Sequence, residues 1–196
     1  MGRVKQHDEQ VRERLLLEAG RLLSAEGVAA LTLRRVAALA GTSTTAVYYL
    51  FGDKDRLLAA MHAEGFEALG QALNRARGAT PLERLGALGL AYRRAALARP
   101  HLYGLMFGGM APDVVVDERA TNGAFAPLVQ AVEACLAAGE LAGDDAETIA
   151  RYLWAVSHGW VSLEFAGLIT GGERRRAAAY RDALLRSVIG FLPGEF

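Results

Sequence analysis

The chain has one cysteine, two lysines against twenty arginines, and no net charge at pH 7. A lone Cys135 cannot close an internal disulfide, so the fold must rest on its core, and the residue suits a reducing compartment. The scarcity of lysine, beside abundant alanine and glycine, reads as coding bias more than function. Met1 to Glu13 is polar and charged and lacks the apolar stretch of a secretory signal. Apolar runs such as that at 87–91 are broken by glycine or charge well short of the roughly 20 residues of a membrane span. The chain is therefore expected in the cytoplasm, without a membrane partner. No Ser/His/Asp arrangement, glycine-rich phosphate loop or apolar carboxylate pair can be placed, so no catalytic residue and no enzyme activity are expected. Asp144-Asp145 reads as the acidic start of a helix. His101 and His158 lack neighbours at metal-ligand spacing, so neither a metal nor a cofactor is expected.

Strand patterns and internal repeats are missing as well. What remains is helix. The 196 residues, 52% hydrophobic, are enough for one large or two small domains with a real core. Helices are predicted over about 8–26, 33–40, 44–51, 53–76, 81–98, 101–107, 117–138, 144–170 and 173–192, so the fold is all-α with about nine helices. In the first, Val11, Leu15, Ala19 and Leu22 mark one apolar face. Thr80 and Pro81 mark the start of the fifth, and 108–112 reads as a flexible loop.

The segment from Leu31 to Lys54 is the most specific. Thr32 can cap a short helix whose apolar face is Leu33, Val36, Ala37 and Ala40. Gly41 can end it in a left-handed conformation. Thr42, Ser43 and Thr44 offer caps for a second helix after only a turn. Two short helices so joined form a helix-turn-helix, the shape that enters a DNA major groove. Thr44, Thr45, Tyr48 and Tyr49 fall within about one and a half turns and offer hydroxyls to phosphates, methyls and rings to base edges. Phe51 reads as core, and Tyr48 fits the core or the DNA face equally. Arg34 lies in the first turn of the helix that crosses the backbone, and Lys54 opens the next helix within reach of a phosphate. The predicted DNA-binding set is Thr32, Arg34, Thr42, Ser43, Thr44, Thr45, Tyr48, Tyr49 and Lys54.

Charge supports this only locally. Residues 1–56 carry nine basic and seven acidic groups, so the excess there is +2. Phosphate binding must rest on a patch of Arg3, Lys5, Arg12, Arg14, Arg34, Arg35 and Lys54, doubled in a dimer.

The segment resembles the DNA-binding domain of the TetR family of one-component regulators. The likeness rests on Ala40-Gly41-Thr42-Ser43, Tyr48-Tyr49-Leu50-Phe51 and Lys54. Thr42 replaces the family's Val or Ile, and Leu50 replaces its polar residue between Tyr and Phe. The second change removes an expected polar contact to DNA. Further on, Trp154, His158-Gly159-Trp160 and Leu163-Glu164 resemble the Trp-His-Gly type of TetR sensor domain. So does Arg99-Pro100-His101-Leu102-Tyr103-Gly104-Leu105-Met106-Phe107. The resemblance implies a three-helix DNA-binding domain over 1–56 and a sensing and dimerisation domain over 57–196.

The helix at 145–169 is apolar nearly all round, with polar residues only near Arg151, Ser157 and Glu164. Burying it on several sides calls for a partner helix, so a homodimer with antiparallel four-helix packing is predicted. A sensor cavity is expected among Tyr92, Tyr103, Met106, Phe107, Phe125, Trp154, His158 and Phe165, with Met110 nearby. Aromatic stripes at helical spacing equally fit an ordinary core. The expected function is a repressor that binds a palindromic operator as a dimer and is released by a hydrophobic or aromatic small molecule. Activation, ligand-independent DNA binding, or small-molecule carriage by an all-helical protein remain the alternatives.

Overall fold

The computed structural model describes residues 2–107, 117–143 and 145–194, with side chains from residue 8 onward. These residues form nine helices and no strand: α1 (Gly2–Ala30), α2 (Leu33–Leu39), α3 (Thr44–Phe51), α4 (Lys54–Asn74), α5 (Pro81–Ala98), α6 (Pro100–Phe107), α7 (Glu118–Ala137), α8 (Ala146–Phe165) and α9 (Glu173–Ile189). The all-α expectation holds. Within α1 the regular helix breaks at Gly27 (φ 78°), beside the predicted end at Glu26.

The chain divides into two compact units. The first is Met1–Glu67 with Arg99–Thr121, the second Ala68–Ala98 with Asn122–Phe196. The division cuts α4 and α7, and the first unit takes in α6, so it runs past the boundary expected at residue 56.

In the first unit, Leu15, Leu31, Val36, Val47, Leu57 and Met61 are fully buried, and Leu102 and Leu105 of α6 belong to the same core. Local chemistry sets its short helices. The Thr32 hydroxyl accepts from the Arg35 N–H at 3.3 Å and caps α2. Gly41 takes φ +64°, where Thr42 N–H bonds the Ala37 carbonyl at 2.9 Å and Gly41 N–H bonds Ala38 at 3.2 Å. That paired closure ends a helix and turns the chain at once. Of the three cap candidates the structure uses Ser43, whose hydroxyl accepts from Ala46 N–H at 3.1 Å.

In the second unit, Leu85, Leu88 and Tyr92 of α5, Val132 and Cys135 of α7, Leu153 and Val161 of α8, and Tyr180 of α9 make the core. Thr80 caps α5 ahead of Pro81, and the Glu83 carboxylate returns to Ala79 N–H at 2.7 Å. Asp145 caps α8 through Glu147 and Thr148. Gly167 (φ +72°) closes α8 after Ala166, earlier than the predicted end near 170.

The polar strip of α8 at Ser157 and Glu164 is not its solvent face: Ser157 is buried and the Glu164 side chain is only 5% exposed. Ser157 satisfies its hydroxyl on the Leu153 carbonyl at 3.0 Å, and Glu164 is held by arginines. Tyr152, Ala155, Leu163 and Ala166 face outward instead.

Candidate nucleic-acid interface and effector cavity

On α3 the buried Val47 and Phe51 fix which side faces out. Thr44 and Thr45 are exposed, as are Tyr48 (59%) and Tyr49 (78%). Tyr48 therefore belongs to the outer face, and Leu50 is half-buried against the core. Arg34 is exposed, Thr42 half-buried, and Thr32 and Ser43 expose side chains that already act as helix caps.

Two cations of the expected basic patch also have partners within the protein. Lys54 Nζ donates to the Val28 carbonyl at 2.7 Å, so it fastens the start of α4 to the end of α1. Arg35 forks onto Glu26 through Nη1 at 2.9 Å and Nη2 at 2.6 Å. That bond holds the Glu26 carboxyl below its ordinary range. The side chains of Arg3 and Lys5 lie outside the described residues.

The predicted sensor residues fall into two groups. Tyr103, Met106 and Phe107 belong to the first unit, where the Phe107 ring lies tilted against Tyr103 at 4.9 Å and meets Phe66 edge-on at 5.3 Å. Tyr92, Phe125, Trp154, His158 and Phe165 belong to the second. Met110 lies outside the described residues. In the second unit Trp154 Nε1–H donates to the Tyr92 hydroxyl at 3.3 Å, and that hydroxyl lies 3.3 Å from His158 Nδ1. Ser162 Oγ is 3.4 Å from His158 Nε2, and the Phe125 ring is 5.7 Å from Trp154. Phe165 is 40% exposed.

A cavity of about 380 Å³ lies in this unit. Of the predicted residues only Tyr92 and Trp154 line it. Its walls are leucines: Leu73, Leu85, Leu88, Leu128, Leu153 and Leu184 among them. Leucines at helical spacing look like core, so the sequence hides them. The one available signal is glycine: a Cβ on Gly89 would stand 2.7 Å from Leu184, and Tyr180 donates to the Gly89 carbonyl at 2.8 Å. Inside the cavity the Ser157 hydroxyl donates to Leu153, and that of Ser187 to the Leu184 carbonyl at 2.7 Å.

Sequence reading also missed a buried charge cluster. Arg93 is 6% exposed and bonds Glu164 through Nε at 2.7 Å and Nη2 at 2.6 Å. Its other contacts reach Glu173 at 2.9 and 3.0 Å, and Arg176 Nε reaches Glu164 at 2.9 Å. These bonds raise the Arg93 pKa further and lower that of Glu164.

Burial holds His62, His101 and His158 below their ordinary pKa, His101 helped by Arg99 and His62 opposed by Asp117. Each binds a proton less readily in the fold than in the unfolded chain, which takes up protons below about pH 6.5. Stability is thus present above that value and falls as the pH drops. Burial raises the Glu64 carboxyl, which acts in the opposite direction. The urea midpoint should fall between pH 7.5 and 5.5; a midpoint that rises would contradict the burial of these rings.

Two family descriptions match the chain. "Bacterial regulatory proteins, tetR family" covers residues 15–61, and "Tetracyclin repressor-like, C-terminal domain" covers residues 85–188. The chain belongs to the TetR family. The second description does not distinguish the Trp-His-Gly type. Among curated proteins, the HTH-type transcriptional regulator Rv1816 of Mycobacterium tuberculosis is 27% identical over 148 residues, 74% of this chain and 63% of that protein. The chain thus spans under two thirds of that regulator's length. A solved protein of unknown function from Rhodococcus sp. RHA1 is 33% identical, with a TM-score of 0.77 over 91% of this chain and 95% of that one. The TetR regulator PfmR of Thermus thermophilus shares the fold at 21% identity, with a TM-score of 0.69 over 88% and 97%. No helix among the described residues is long and apolar enough to cross a membrane.

Proposed function

We propose that this TetR-family protein is a cytoplasmic, ligand-responsive transcriptional repressor. It binds a palindromic operator as a homodimer and is released by a hydrophobic small molecule. The observation that carries this reading is α3 itself, anchored by Val47 and Phe51 while Tyr48 and Tyr49 stand exposed. Exposed phenols beside Thr44 and Thr45 match thymine methyls and phosphate oxygens in a major groove.

Dimerisation is supported by large apolar side chains left exposed on or beside α8 and α9: Tyr152, Leu163, Phe165, Leu168, Leu185 and Ile189. Ala155 and Gly159 lie along the same helix, and a Cβ on Gly159 would meet nothing within 4 Å. Small residues on an open helix face let a second helix approach closely. A symmetric pair would present two α3 helices about one DNA turn apart.

The leucine-lined cavity supports a hydrophobic effector, because the hydroxyls of Ser157 and Ser187 already have internal acceptors. Leu73, on the last turn of α4, lines the cavity, and the same helix begins at Lys54, which is tied to Val28. An effector that moves the end of α4 acts on the helix that leaves the DNA-binding segment. It is a switch only if effector affinity differs between the two states.

A gel-shift on the DNA upstream of its own gene tests the reading, combined with a thermal-shift screen of aliphatic and aromatic compounds. A compound that raises the melting temperature should release that DNA. Binding that persists unchanged at saturating compound would sink the ligand-responsive repressor.

A further inference from the structure

Arg35 is paired with Glu26, and Lys54 gives one of its donors to the Val28 carbonyl, so a phosphate backbone beside α3 calls for further cations. Two arginines meet that need. Arg12 of α1 and Arg56 of α4 line one open cleft with Tyr48, Tyr49 and Gly52. Arg12 Cζ lies 5.8 Å from the centre of the Phe51 ring, which holds the guanidinium at the end of α3. Arg56 folds over Gly52: a Cβ there would stand 3.1 Å from Nη1, and Gly52 already needs its positive φ of 82°. Among the described residues each arginine has a loose ion-pair partner, Glu9 for Arg12 and Asp53 for Arg56, both at 3.7 Å, and Arg12 also acts on Glu64 through space. Such exposed pairs hold weakly and exchange readily for a phosphate. The Asp53 carboxylate is also occupied by the Arg56 N–H at 2.8 Å.

We propose that Arg12 and Arg56 form a phosphate clamp at the C-terminal end of α3, seating the backbone of duplex DNA while Tyr48 and Tyr49 meet the bases. The clamp rests on the reading that α3 enters the major groove. It places two fork-shaped donors on one side of the exposed tyrosines, where the adjoining strand passes. Guanidinium groups suit phosphate oxygens because they bond them in pairs. It also offsets the polar contact that Leu50 removes.

The test measures binding of the full-length protein against NaCl concentration on two probes. One is a mixed-sequence duplex of about 30 base pairs, long enough for two half-sites one turn apart; the other is a duplex selected from a random pool by the wild-type protein. Each phosphate contact contributes about 0.9 to the slope of log K against log salt, so losing Arg56 from both subunits of a dimer should lower it by about 2. R56Q should show that loss on both probes, and R56K should retain the slope. Arg56 is 76% exposed, so these variants keep the fold. R12Q should lower the slope similarly, with circular dichroism checking its fold. Y49A should leave the slope and lose the preference for the selected probe. Unchanged slopes in R56Q and R12Q, with preference lost in Y49A, would overturn the clamp and keep the groove reading. A wild-type protein that enriches no duplex from the pool and does not bind the mixed-sequence probe would overturn both.

Discussion

Replacing Arg93 with alanine should cost about 3–5 kcal/mol of folding stability, because it strands a buried carboxylate. The side chains of Arg93 and Glu164 are 7% and 5% exposed, and they share two bonds. Arg176, 32% exposed, stays beside Glu164 and moves the loss toward the lower end. Replacing Arg93 and Glu164 together with methionine should recover most of it, since a buried pair exchanged for apolar groups is often neutral. Glu173→Gln should cost far less, because its side chain is 58% exposed and water replaces the bond. Urea unfolding of the four proteins decides the matter. A loss below about 1 kcal/mol in the single variant would mean that solvent already reaches the cluster.

Tyr49→Ala should leave stability within about 0.5 kcal/mol of the wild type, since the side chain is 78% exposed. Its effect falls on DNA. A side chain that reads a base edge contributes about 1–3 kcal/mol of discrimination. A symmetric dimer carries two, so operator affinity should fall about 30-fold to about 10⁴-fold. Titration of a labelled operator, with sedimentation to confirm the dimer, separates this from a general defect. Operator affinity equal to that of the wild type would remove Tyr49 from the interface and turn attention to Thr44 and Thr45.

The helix-turn-helix was legible because its signals are local. Thr32 and Gly41 act within a few residues of their own position, and Leu33, Val36, Ala37 and Ala40 bury as their spacing predicts. What escaped depends on chain segments far apart. The pairing of Glu164 with Arg93 has no local signal, because the two lie 71 residues apart. The bond from Lys54 Nζ to the Val28 carbonyl was hidden in the same way, because its acceptor lies 26 residues upstream. The aromatic residues expected around one cavity divide between two compact units, since α6 packs with the first. The cavity wall escaped for a different reason: a leucine facing a void and a leucine facing a neighbour have the same spacing.

The buried sulfur of Cys135 has a practical consequence. It is fully enclosed, and burial pushes its pKa up to about 11, with Glu140 adding to the shift. Only the thiolate attacks an alkylating reagent, so at neutral pH this residue is silent toward maleimides. The natural sequence therefore serves as a cysteine-free background for labelling. A single Thr45→Cys substitution would place one spin label on each α3 of a dimer. The distance between the two labels, read with and without an effector, would follow the separation of the recognition helices directly.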